Sequence, residues 1–142
     1  LKSKLEELIY LFYFYRLVER KTSDDHYRKN DKIREIIDYI NQHYAENLTI
    51  DKLSLLMGYS KTHFMTIFKQ QTGTSCTEFI IQARLNAACE ELRNSVKPVL
   101  EIATDVGFNN LSNFNRQFKH YYDQTPSQYR KTHSNKKKTK KS

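Results

Sequence analysis

At 142 residues with only two cysteines, Cys76 and Cys89, the chain suits one ordinary domain with extensions in a reducing compartment, and a disulfide framework is excluded. Its longest mostly apolar stretch, Leu8 to Val18, is broken by Arg16 and is too short to cross a bilayer, and no signal-peptide pattern is visible. The formal charge of +8 is unevenly spread: residues 1–32 carry eight Lys/Arg against six Asp/Glu, residues 33–130 carry ten against ten, and residues 131–142 carry six lysines and no acid, so bulk charge alone does not make the central region a polyanion binder.

Residues 1–20 have helical spacing and many aromatics, among them Phe12, Tyr13, Phe14 and Tyr15. A lone helix of this kind exposes too much apolar surface. Three readings stay open: the last helix of a preceding sensor or dimerisation domain, a dimer contact, and a membrane-surface helix, which Glu6, Glu7 and Glu19 oppose. The absence of a first methionine suits a piece of a longer chain. Residues 21–32 are polar without an apolar period and read as a linker.

Ile33, Ile36, Ile37 and Ile40, with Tyr44 on the next turn, mark a helix with one apolar face that closes the core of the next two helices. Thr49 is placed to cap a helix over 50–57, which leaves through Gly58; Ser60 then caps a second helix, about 61–71, carrying Phe64, Ile67 and Phe68 inward. A long helix over roughly 75–94 has Phe79, Ile80, Ala83, Ala87 or Ala88, and Leu92 as its inward stripe. At 1.5 Å per residue it spans on the order of 30 Å, close to the roughly 34 Å that separates successive major-groove segments on one side of a duplex. Pro98 can open a helix over 99–106 that leaves through Gly107. Asn109 caps the next, about 110–121, carrying Leu111, Phe114 and Phe118, and Pro126 opens a short last helix with Tyr129 and Arg130. Beyond Lys131 the lysine-rich sequence has no apolar anchor and reads as a disordered basic tail over 132–142.

The two central stretches are copies of one pattern. Leu53, Ser54, Met57, Gly58, Tyr59 and Ser60, then Phe64, Phe68, Lys69, Gly73, Ser75 and Phe79, are followed by Ile102, Ala103, Val106, Gly107, Phe108 and Asn109, then Phe114, Phe118, Lys119, Asp123, Thr125 and Tyr129. The offset is 49 up to the glycine turn and 50 beyond it, a single inserted residue. Helix, glycine turn and second helix make a helix-turn-helix.

In that motif the second helix enters the major groove. Its inward residues should agree between copies while its outward ones differ. Phe64 and Phe68 match Phe114 and Phe118, whereas Lys61, Thr62, Met65 and Thr66 face Ser112, Asn113 and Arg116, with Asn110, as the variable set. Arginine pairs with guanine, asparagine with adenine, and a threonine methyl with thymine. Thr49, Ser60, Lys69, Asn109 and Lys119 are candidates for phosphate contact, and a solvated surface is the competing reading for each. Gly58, Gly107, Phe64, Phe68, Phe114, Phe118 and Pro126 read as structural. The scattered histidines and the two cysteines thirteen residues apart give no metal site. No catalytic constellation or phosphate loop appears, so the chain reads as neither an enzyme nor a cofactor binder. The alternative function is a protein-interaction or oligomerisation module with incidental DNA binding, resting on Leu8 to Val18.

Over about residues 31–131 the chain resembles the AraC/XylS class of bacterial transcription regulators. The resemblance lies in GYSKTHFMTIFKQQTG, in IIQARLNAACEEL and above all in VLEIATDVGFNNLSNFNRQFKHYYDQTPSQYR. It implies an all-α, seven-helix domain, here spanning residues 33–131, with two helix-turn-helix units joined by a long linker helix and preceded in this chain by the aromatic helix. It further implies an activator that binds asymmetric double-stranded promoter sites in the bacterial cytoplasm, nucleoid-associated when on DNA, with RNA polymerase as partner and no membrane partner. Thr62, Met65 and Thr66, and Ser112, Asn113 and Arg116, fall on the groove-facing positions by the same resemblance. Arg84 matches a recurrent arginine of the linker helix, structural or phosphate-facing. Two departures stand out: Ser54 replaces the usual alanine at a close helix contact, where back-bonding to a carbonyl would satisfy it, and Asp123 replaces a glycine.

Overall fold

The structure, a computed structural model, describes residues 24–134, with side chains from residue 31 onward. Among the described residues there are seven helices and no strand: α1 (Asp24–His43), α2 (Ile50–Met57), α3 (Lys61–Thr72), α4 (Cys76–Asn94), α5 (Val99–Asp105), α6 (Leu111–Tyr122) and α7 (Pro126–His133). The all-α expectation holds. The aromatic helix expected over 1–20 and tail residues 135–142 lie outside the described residues.

The chain divides into two compact units, with the division inside α4. In the first unit, residues 24–43 and Leu48–Ile80, α1 packs on α2 and α3. Its core is made by the α1 face Ile33, Ile36, Ile37 and Ile40 with Leu53, Met57, Phe64, Ile67, Phe68, Cys76 and Ile80, all buried. The ring pairs Phe64–Phe68 and Phe68–Phe79 stand 5.9 and 5.7 Å apart, within the range for favourable tilted and edge contacts. In the second unit, Tyr44–Asn47 and the residues from Ile81, the core joins Leu85, Ala88, Cys89 and Leu92 of α4 to Ile102, Ala103 and Val106, then Phe108, Phe114, Phe118 and Tyr129. Phe118 meets Tyr129 edge-on at 5.6 Å.

Backbone hydrogen bonds repeat with the register read from the sequence. Gly58 N–H donates to Leu55 O and Tyr59 N–H to Ser54 O; 49 residues on, Gly107 donates to Thr104 O and Phe108 to Ala103 O. This paired closure satisfies the last carbonyls of a helix through a left-handed residue, and the glycines sit at φ +72° and +106°. Beyond the turn the offset is 50: Phe64 to Ser60 and Phe114 to Asn110, Gly73 to Lys69 and Asp123 to Lys119, Phe79 to Ser75 and Tyr129 to Thr125. The repeat thus includes a third helix. Ser75 accepts from Glu78 N–H and Thr125 from Gln128 N–H, so α4 and α7 begin with the same cap. Asp123 adopts φ +59°, the left-handed turn that Gly73 makes in the first copy. Ser54 Oγ donates to Asp51 O at 2.9 Å, the back-bond expected of it.

Several boundaries differ from expectation. Residues 24–32, assigned to a linker, form the start of α1. They contain no glycine or proline, and extending a helix already nucleated by an apolar face costs little. Tyr44 lies past the end of α1 and packs against the core of the second unit. The cap of α6 is Asn110, whose side chain accepts from Asn113 N–H at 2.7 Å, and not Asn109. Asn109 is the inserted residue: it lies after Phe108 and before the cap, where the first copy has nothing. Pro98 is the cap residue of α5, not its first helical residue, and α5 ends one residue earlier than expected, with Val106 as its C-cap. The last helix continues through Thr132 and His133, residues assigned to the tail. The stripe expected along α4 is incomplete, because Leu85 and Cys89 are buried while Phe79, Ala83 and Ala87 are half-buried. Its first turn serves one core and the remainder another, so no single face runs its length.

Candidate nucleic-acid interface

The second helix of each unit offers a solvent face above a phenylalanine floor. Along α3, Phe64, Ile67 and Phe68 are buried while Lys61, Thr62, Met65, Thr66 and Lys69 are exposed. Ser60 holds the start of the helix by accepting from His63 N–H, which fixes its own hydroxyl as a cap and leaves the helix end open to an anion. Thr66 Oγ1 donates to Thr62 O at 2.9 Å. With its proton committed, Thr66 presents a methyl and an acceptor, a combination that suits the apolar edge of thymine. Met65 is 42% exposed, a flexible apolar chain on the solvent face of the helix. Lys61 Nζ lies 3.7 Å from Asp51 of α2, an exposed pair that costs little to exchange for phosphate. Thr49 caps α2 through Lys52 N–H.

Along α6, Phe114 and Phe118 are buried, Ser112, Asn115, Arg116 and Lys119 are exposed, and Asn113 is half-buried. Arg116 donates from its terminal nitrogen to Asn113 Oδ1 at 2.9 Å. The structure therefore joins these two candidates by a hydrogen bond, with Asn113 half-buried and Arg116 exposed. Asn115, Arg116 and Lys119 line an open groove of 490 Å³ with Val99 of α5 and Ser127 at the start of α7. Asn109 is exposed in the turn before the cap.

Asn115 was missed by the outward set read from the sequence. The signal was present in the register: beyond the turn the offset is 50, so the counterpart of Met65 is Asn115, and the counterpart of the exposed His63 is Asn113. Arg84 resolves as structural. Its Nε donates to Tyr44 O at 2.7 Å and a terminal nitrogen to Glu46 O at 2.9 Å, with the guanidinium 6.0 Å from the centre of the Phe108 ring. Burial lowers its proton affinity, but a guanidinium stays charged in a protein. In the described residues no group of His, Cys, Asp and Glu could hold a metal, and no helix is long and apolar enough to cross a membrane.

A family model described as a helix-turn-helix domain matches residues 53–132. The regulatory protein SoxS of Salmonella typhimurium is 37% identical over 98 residues, which is 69% of this chain and 92% of that protein. The chain belongs to the AraC/XylS family. Like others of this family it is a DNA-binding helix-turn-helix regulator of transcription, and double-stranded DNA is its partner. The AraC/XylS domain also occurs inside larger proteins: an HTH-type transcriptional regulator of Staphylococcus aureus, SAS0078, is 34% identical over 101 residues, which is 71% of this chain and 14% of that regulator. The solved structure of a probable AraC family transcriptional regulator from Rhodopseudomonas palustris is 26% identical with a TM-score of 0.67, covering 73% of this chain and 98% of that one.

Proposed function

We propose that the chain is a sequence-specific transcription activator whose helices α3 and α6 enter successive major-groove segments of one asymmetric promoter site. One observation carries this reading: at equivalent positions the two helices present unlike exposed side chains, Thr62 and Ser112, Met65 and Asn115, Thr66 and Arg116, over the same buried phenylalanines. Two unlike reading surfaces on one scaffold call for two unlike half-sites. Thr62, Met65, Thr66, Ser112, Asn115 and Arg116 contact base edges, with Lys61 at the margin; Asn113 holds Arg116. Lys69 and Lys119 meet phosphates, as do the helix starts at Thr49, Ser60 and Asn110. The 19-residue α4, about 28 Å long at 1.5 Å per residue, suits the joining of two such readers in a single chain. The protein works in the bacterial cytoplasm, on the nucleoid when bound, and acts through RNA polymerase, with residues 1–20 belonging to a sensor or dimerisation domain.

Selection from a randomised duplex pool at several salt concentrations tests this. The expected result is enrichment of one site with two dissimilar half-sites about one helical turn apart. Binding without enrichment would sink the specific reading. Comparing the complete chain with one lacking residues 1–23 separates the alternative: if DNA binding disappears with that segment, interaction through it is primary.

A further inference from the structure

The chain carries four sulfur atoms, in Met57, Met65, Cys76 and Cys89, and the fold treats them unequally. Met57 is 6%, Cys76 2% and Cys89 1% exposed, each inside a core. Burial raises the Cys76 thiol above its ordinary range and keeps it protonated, and an enclosed, protonated thiol is inert toward oxidants. Met65 is 42% exposed and alone among the four faces solvent. It does so in the middle of the outward face of α3, with Lys61 and Lys69 exposed one turn away on either side. At the equivalent position α6 has Asn115, which offers no sulfur to an oxidant.

We propose that Met65 is a site of reversible sulfoxidation, which alters recognition by α3 and leaves recognition by α6 unchanged. The inference rests on the base-reading role proposed for Met65 and deepens it by naming a modification of that contact. The oxidant is hydrogen peroxide. A lone pair of the thioether sulfur takes one peroxide oxygen, the O–O bond breaks, and the other oxygen leaves as water; sulfur loses two electrons and peroxide gains them. Reversal by a methionine sulfoxide reductase joins two thiols as a disulfide and releases the oxygen as water. The product places a polar acceptor where an apolar chain stood. Against a thymine methyl the new oxygen is desolvated without a partner, and against guanine O6 or N7 it meets another acceptor. The fold is spared, because Phe64, Ile67 and Phe68 form the floor of α3 without Met65.

The complete chain is treated with hydrogen peroxide, with and without saturating duplex of the selected site. Peptide mass spectrometry then follows both methionines, and titrations with single-base-pair variants follow binding. The half-site of α6 is identified as the one whose preference Arg116→Ala changes. Met65 should be oxidised before Met57, and bound duplex should slow its oxidation. The oxidised chain should bind the selected site about tenfold more weakly, with base preference lost in the α3 half-site only, and reductase treatment should restore it. Met65→Leu, compared with itself before and after peroxide, should show no change, while Met57→Leu should respond as the unaltered chain does. Retained affinity and preference after Met65 is oxidised would overturn the proposal and leave specific reading intact. An equal response of Met65→Leu to peroxide, or equal loss of preference in both half-sites, would overturn it in the same way. Failure of the untreated chain to enrich any site would bring down the base-reading role and the proposal with it.

Discussion

On the proposed reading, the Arg116–Asn113 hydrogen bond sets a base-reading side chain beside one that orients it, within one turn of α6. Arg116→Ala should cost roughly 1–3 kcal/mol of discrimination at one or two base pairs, whereas Lys119→Ala should weaken all duplexes alike. Asn115→Ala should lose preference at a neighbouring base pair, and Asn113→Ala should weaken the Arg116 preference without creating a new one. Competition binding with single-base-pair variants of the selected site distinguishes the four. Equal losses on specific and random DNA for Arg116→Ala would contradict its role. A different residue contributes to alkaline stability. Burial pushes the Cys76 thiol from its ordinary 9.0 up to about 12. The thiol is neutral in both folded and unfolded chains below pH 9; between pH 9 and 12 the unfolded chain loses the proton and the folded one keeps it. Stability should therefore fall as pH rises through that window, by up to about 1.4 kcal/mol per pH unit. Urea midpoints at neutral and alkaline pH should show the decline, and Cys76→Ala should reduce it, leaving the part due to Tyr129, whose phenol is also pushed up by burial.

At the scale of elements, the two glycine turns look alike in sequence and differ in their surroundings. A Cβ at Gly58 meets nothing within 4 Å, while at Gly107 it meets Arg84 Nε and Tyr44 O at 2.9 Å. Gly58→Ala should cost about 1–2 kcal/mol, the strain of a left-handed backbone alone. Gly107→Ala should cost clearly more, because the Arg84 hydrogen bonds to Tyr44 O and Glu46 O must yield as well; thermal melts of the two variants decide. That difference was invisible in the chain, since Arg84 and Tyr44 are forty residues apart and nothing local links them. What was legible were the local signals: apolar spacing along α1, the caps Thr49 and Ser60, the left-handed glycines, and Phe64 and Phe68 repeated as Phe114 and Phe118. The α6 cap failed for a local reason. Asn109 and Asn110 are adjacent residues of one type, both good caps, and only the hydrogen bond to Asn113 N–H chooses. The start of α1 failed because a polar helical turn has no apolar period to announce it. The outward placement of Asn115 was recoverable from the register alone, because the repeat fixes exposed positions as well as buried ones.

For the whole molecule, charge and recognition separate along the chain. Residues 33–130 are balanced, and five lysines fall in residues 135–142. Removing residues 135–142 should lower affinity for every duplex and flatten the dependence on salt, because fewer counterions are released, while the selected site keeps its sequence. Titrations of matched and random duplexes across salt concentrations measure both. A change in the preferred sequence on truncation would show that the basic end takes part in reading.

The matching caps of α4 and α7 bear on how such a chain can be divided. Each copy of the repeat closes with a third helix, but the first copy's closing helix does not stop: it runs on through Asn94 and supplies Leu85, Ala88, Cys89 and Leu92 to the next core. The seam of the duplication therefore lies inside continuous helical backbone and not in a loop. A protease, which needs an extended strand of several residues, has no site at that seam, and cutting the gene there would strip each half of part of its own wall. Although built from a duplicated motif, the chain is expected to be inherited, expressed and degraded as a pair.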